Sequence, residues 1–154
     1  MECHKISLLM KTCHIYFKGP RACIETYCST TEGHGIFMEP FFNVAANDVN
    51  ELAAAVKSSI EASRKGVPVT QDFRSLVVNS LKFFKERSYK KFVSNAILRE
   101  VDDDGDTIKI IPCDPAEKGS FTPREDKAIP CSRDWVDVAQ RLIASLPPAP
   151  SHLQ

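Results

Sequence analysis

Two alternating runs, residues 96–101 and 107–111, flank the turn Asp102-Asp103-Asp104-Gly105-Asp106, and this hairpin constrains the fold more than any other stretch. Asp-Gly is the chemistry of a turn with positive φ. Ile97 and Val101 alternate against Leu98 and Glu100, while Ile108 and Ile110 alternate against Lys109 and Ile111. Each strand therefore has a face to bury. An isolated hairpin is marginal in water, so further strands or a helix must complete its core.

The N-terminal part supplies strands. Residues 5–17 place Leu9, Cys13, Ile15 and Phe17 on one parity, with His14 and Tyr16 on the other. Residues 21–30 oppose Ala22, Ile24 and Cys28 to Glu25 and Tyr27, and the intervening Gly19-Pro20 makes the two runs an antiparallel pair. Residues 35–42 give a further short strand, broken by Pro40. Asp48, with Glu51 three residues on, starts a helix whose apolar face is Leu52, Val56, Ser59/Ile60 and Ser63. A second helix begins at Thr70 or Asp72 and carries Phe73, Leu76, Val77, Leu81 and Phe84. After a break near Ser88, it continues with Tyr89, Phe92 and Val93. Residues 112–126 read as loop and residues 127–130 as an edge strand. Ser132 is the expected cap of a last helix with the stripe Trp135, Val138, Leu142, Ile143 and Leu146. The expected fold is mixed α/β, of the α+β type: a largely antiparallel sheet packed against three or four helices, one sheet face being the more exposed. Residues 1–146 form one domain by this reading, and the Pro-rich residues 147–154 a mobile tail.

Twenty basic and twenty acidic residues cancel, which argues against bulk attraction to nucleic acid or an anionic membrane. The apolar run 6–10 is too short for a secretory signal, and no stretch reaches the roughly 18–20 apolar residues of a membrane span. A cytoplasmic location with six reduced thiols is the expectation.

No spacing makes a catalytic or metal centre. Cys3-His4 and Cys13-His14 lie along strands, where adjacent residues face opposite ways, so a zinc knuckle is not expected. Asp102, Asp104 and Asp106 mimic a calcium loop, but its twelfth position is Cys113 where a Glu is needed. His34 beside Glu32 reads as an ordinary polar turn, and no cofactor is expected. An enzymatic reading would need His14 or His34 in a concave pocket beside a strongly perturbed carboxylate. The main alternative is a small RNA-binding protein using Lys82, Lys85, Lys90 and Lys91 of the basic region 82–91 with its aromatics.

Five stretches, taken in order, resemble a family. They are Lys5-Ile6-Ser7-Leu8, Ile60-Glu61-Ala62-Ser63-Arg64, Ser88-Tyr89-Lys90-Lys91-Phe92-Val93, Asp106-Thr107-Ile108-Lys109-Ile110-Ile111-Pro112 and Asp126-Lys127-Ala128-Ile129-Pro130. In this order they resemble the immunity proteins of bacterial contact-dependent growth inhibition systems. The resemblance implies a non-catalytic protein that binds one cognate toxin domain, often a nuclease, in a 1:1 complex and blocks its active site or substrate approach. Asp102, Asp103, Asp104 and Asp106 are the expected toxin-binding carboxylates, with Glu25, Glu32, Glu39 and the loop 117–124 as weaker candidates.

Overall fold

The computed structural model describes residues 10–68 and 73–148. Among them, seven strands form one antiparallel sheet: β1 (Lys11–Lys18), β2 (Arg21–Ser29), β3 (Gly35–Ala45), β4 (Ile97–Asp103), β5 (Ile108–Pro115), β6 (Phe121–Pro123) and β7 (Ile129–Cys131). Their order is β3-β2-β1-β4-β5, and β6 and β7 share the outer edge of β5. Four helices accompany them: α1 (Val49–Ala62), α2 (Phe73–Phe84), α3 (Tyr89–Val93) and α4 (Trp135–Ala144). The mixed α/β architecture with a largely antiparallel sheet is the one the sequence pattern implies.

Strand parity decides which helices lie on which face. Cys13, Ile15, Phe17, Ala22, Ile24, Val101, Ile108 and Ile110 all turn to one side. There they meet Leu52, Val56 and Ile60 of α1 and Val138 and Leu142 of α4. Each fully buried Leu or Ile contributes about 1.5–3 kcal/mol. Asp48 caps α1 by accepting the Glu51 N–H (3.0 Å), as expected. At the other end, Ser63 stitches the helix to the sheet. Its hydroxyl accepts the Thr12 N–H (3.0 Å) and donates to the Tyr27 carbonyl (2.6 Å). The cap of α4 is Asp134, not Ser132: Asp134 accepts the Val136 N–H, while Ser132 donates to Asp137. Two cap-competent residues two positions apart leave that choice to the helix's docking geometry.

The sheet's other face, expected to be the more exposed, is partly covered. Phe84 of α2 and Phe92 and Val93 of α3 pack on Tyr16, Cys23, Phe41, Leu98 and Cys113. The break between these helices falls at Lys85, which takes a positive φ of 60° while the Glu86 N–H returns to the Leu81 carbonyl (2.9 Å). Ser88 then caps α3.

Three boundaries depart from expectation. β3 does not break at Pro40 but runs on to Ala45, because Glu39 and Pro40 fall in a register shift where Glu25 pairs with Phe41 and Thr26 with Met38. An edge-strand bulge needs no N–H from proline. Residues 112–126 are not all loop, since β5 continues to Pro115 and Phe121–Pro123 returns to pair with it. The last strand is Ile129–Cys131 in place of 127–130. The predicted helix starts at Thr70 or Asp72, the stretch Lys5–Leu8 and most of the 147–154 tail lie outside the described residues.

Candidate functional site: a buried acidic row and the cavity above it

Antiparallel register brings together groups that are far apart in sequence. On the face shared with α2 and α3, His14 of β1 lies opposite Glu25 of β2 and opposite Glu100 of β4. Thr12 and Asp102 form the neighbouring rung. His14 Nε2 is 3.1 Å from Glu100 Oε1, and the Thr12 hydroxyl donates to Asp102 Oδ1 at 2.8 Å.

Proton affinities along this row are pulled apart. Burial, reinforced by the Glu100 charge, pushes Asp102 up to about 8, so it holds a proton and donates to Glu100. Burial would raise Glu100 too, but hydrogen bonds from His14 and Asp102 hold it below the ordinary carboxylate range. Glu25 is pushed up to about 7 by burial, which Ser80 only partly offsets. His14 Nε2 donates to the Glu100 carboxylate. His14 Nδ1 is buried and has no hydrogen-bond partner among the described residues.

Above the row lies a cavity of about 530 Å³ between the sheet, α2 and the segment leading into β6. Glu25 and His14 are in its floor. Tyr16, Phe37, Tyr89 and Phe121 supply aromatic walls, and Leu76 and Val77 the α2 side. This is the concave pocket, with a histidine beside a perturbed carboxylate, that an enzymatic reading would require. The histidine and the carboxylate are both there, yet no hydroxyl or thiol of the described residues is bonded to His14 Nδ1. Among the described residues the nucleophile–base contact of covalent hydrolysis is not formed. The Ser80 hydroxyl is shared between the Val77 carbonyl (2.8 Å) and Glu25.

The acidic turn is smaller than its sequence suggests. Asp102 and Asp103 are not in an exposed turn but in β4, 5% and 7% exposed. Asp103 is held by Arg133 through two 3.0 Å bonds and also accepts the Gly105 N–H. Asp104 folds the tip by accepting from the backbone of Asp106 and Thr107 and from the Thr107 hydroxyl, with Gly105 at a φ of 98°. Only Asp104 and Asp106 face outward. Arg133→Ala should lower stability by about 1–2 kcal/mol in urea unfolding, because it strands a buried carboxylate. A loss below about 0.3 kcal/mol would class the pair with ordinary surface bridges.

The other expected carboxylates are dispersed. Glu32 is exposed and lies 3.8 Å from the equally exposed His34, Glu39 is exposed on the β3 bulge, and Glu25 is in the cavity. In the basic region, Phe84 is buried and stacked on the equally buried Phe92 with centroids 5.2 Å apart, whereas Phe83 and Tyr89 are 46% and 43% exposed. Cys13, Cys23, Cys28 and Cys113 are buried free thiols, and burial pushes Cys23 up to about 11. Cys113 packs on the α2/α3 side of the sheet and Cys131 on the α1/α4 side, which separates the two thiols flanking the 114–130 segment. No group of three or more potential metal ligands occurs among the described residues. No described helix is long and apolar enough to cross a membrane.

No family model and no curated protein matches the sequence. Solved structures do match the fold. A protein of unknown function from Neisseria meningitidis superposes with a TM-score of 0.69 at 11% identity, over 90% of this chain and 95% of that one. A chain of the CdiA-CT/CdiI toxin and immunity complex from Yersinia pseudotuberculosis superposes with a TM-score of 0.68 at 13% identity, over 88% of this chain and 96% of that one. At such identities, what is shared is the fold of a chain from a toxin and immunity complex.

Proposed function

We propose that this chain is an immunity protein of a contact-dependent growth inhibition system. In this reading it binds the C-terminal toxin domain of the cognate exported protein and occludes its active site or the approach of its substrate. The observation that supports the reading is the fold shared, over 88% of the chain, with a member of a toxin and immunity complex. The ordered sequence resemblances point the same way. A nuclease is the toxin class that the acidic features suit, since such a domain presents basic groups around its substrate path. Of the acidic turn, Asp104 and Asp106 are the residues open to a partner, and rim carboxylates of this kind chiefly set orientation and association rate.

Co-expression with the C-terminal domain encoded upstream is the direct test. A stoichiometric complex with a Kd near 1 nM, about −12 kcal/mol, is the expected result by calorimetry. Absence of binding between two folded partners would overturn the reading. Within a real complex, Asp104→Asn with Asp106→Asn should slow association by about tenfold at low salt, an effect that fades at high salt. Asn keeps the side-chain oxygen that folds the tip, so the hairpin survives the change. An unchanged association rate would place the interface elsewhere.

A further inference from the structure

We propose that the cavity over β1 and β2 is a binding site for an aliphatic organic cation, a primary ammonium or guanidinium group on an apolar stem, with Glu25 as its counter-ion. The site stands on its own geometry and not on the immunity reading. At about 530 Å³ the space is within the range of small-ligand pockets, about 300–1,000 Å³.

Its floor is short of positive charge. Glu25 is 7% exposed, none of the described lysines or arginines lines the cavity, and the hydrogen bond that partly offsets its burial comes from the neutral Ser80 hydroxyl, which is shared with the Val77 carbonyl. His14 Nδ1, next along the row, is buried with no hydrogen-bond partner among the described residues, and the Phe37 ring packs on the imidazole with centroids 4.3 Å apart. A buried carboxylate with no cationic partner among the described residues disfavours an anion, which would also face Glu100 on the same strand face. A wholly apolar ligand would leave the carboxylate desolvated and without a counter-ion. Tyr16, Phe37, Tyr89 and Phe121 complete the selection, because ring faces attract a cation and pack an aliphatic stem equally well. A carboxylate buried under aromatic walls is thereby matched by one ligand chemistry, which either a partner's lysine or arginine side chain or a free amine can supply.

Titration of the full chain by NMR with pentylammonium, butylguanidinium and the neutral 1-pentanol tests the assignment. Both cations should bind saturably and at least about tenfold more tightly than pentanol, shifting the amides around His14 and Glu25. Glu25→Gln, which keeps the shape and removes a buried charge, should abolish that preference while leaving the thermal melt no lower. Equal binding of pentanol, shifts confined to other surfaces, or cation affinity within twofold in E25Q would each overturn the proposal. The two sources separate when the partner domain is added. If the ligand is a partner side chain, butylguanidinium competes with the complex and E25Q weakens it. If it is a free amine, the cations bind and the complex is indifferent to both.

Discussion

Raising the pH from about 5 to about 8.5 should destabilise the folded protein, and Glu25→Gln combined with Asp102→Asn should remove most of that loss. In the folded state Glu25 titrates near 7 and Asp102 near 8, well above ordinary carboxylates. Between about pH 4 and 8 the native state therefore binds more protons than the unfolded chain, and stability falls as pH rises. The contribution is fully present below the unfolded pKa and is lost through the folded values. For Glu25, moving from 4.5 to about 7 corresponds to about 3 kcal/mol. Asp102 shares its proton with Glu100, so that pair acts in the same direction as one unit. Asp103 and Asp104, both held below their ordinary range, work in the opposite sense and lose stability only under stronger acid. A stability maximum near pH 5 follows. Both replacements preserve the local bonding. The amide introduced by Asp102→Asn still accepts from Thr12 and donates to Glu100, and the one introduced by Glu25→Gln has no proton to shed. Urea unfolding at three pH values is sufficient, and parallel wild-type and double-variant profiles would show that the row is hydrated and its proton affinities ordinary.

The same row shows how much was legible beforehand. Alternation is a local signal, so the parity of Cys13, Ile15 and Phe17, the Asp-Gly hairpin and the Asp48 cap were all readable from a few neighbouring residues. Pairing register is not local. Nothing in the spacing of residues 14, 25 and 100 states that they lie side by side, and only the stacking of β2, β1 and β4 makes them so. Glu25 was visible as a polar-parity residue, and polar parity on an antiparallel sheet ordinarily means solvent. Here α2 closes over that face. His14, Tyr16, Glu25 and Tyr27, an unusually aromatic polar parity, was the available hint. Asp102 and Asp103 depart from the expected exposed turn for a related reason. Aspartate is a poor strand residue, and its burial in β4 depends on Thr12 and Arg133, 90 and 30 residues away. Of the expected carboxylates, the structure leaves Asp104, Asp106, Glu32 and Glu39 on the surface, on separate loops and a bulge.

Phe92→Ala should cost about 3–5 kcal/mol and should loosen one side of the molecule before the other. Phe92 is 1% exposed, lies parallel to Phe84 at 5.2 Å and packs on Tyr16 at 4.8 Å. It joins α3 to α2 and both to the sheet. A five-residue helix has no stability of its own, so α3 persists only through this packing. On the opposite face α1 and α4 share a continuous apolar layer with β1, β2, β4 and β5 that Phe92 does not touch. Amide exchange in the variant should therefore quicken across residues 73–93 while β1, β2, α1 and α4 stay protected. The acidic row makes this loosening chemically readable. Once α2 lifts, water reaches Glu25, its proton affinity falls toward that of an ordinary carboxylate, and the destabilisation between about pH 5 and 8.5 shrinks with it. Uniform loss of protection would mean that both helical layers open as one unit. In that case, the cavity's raised proton affinities could relax only on global unfolding, and Phe92→Ala would leave the pH profile unchanged in slope.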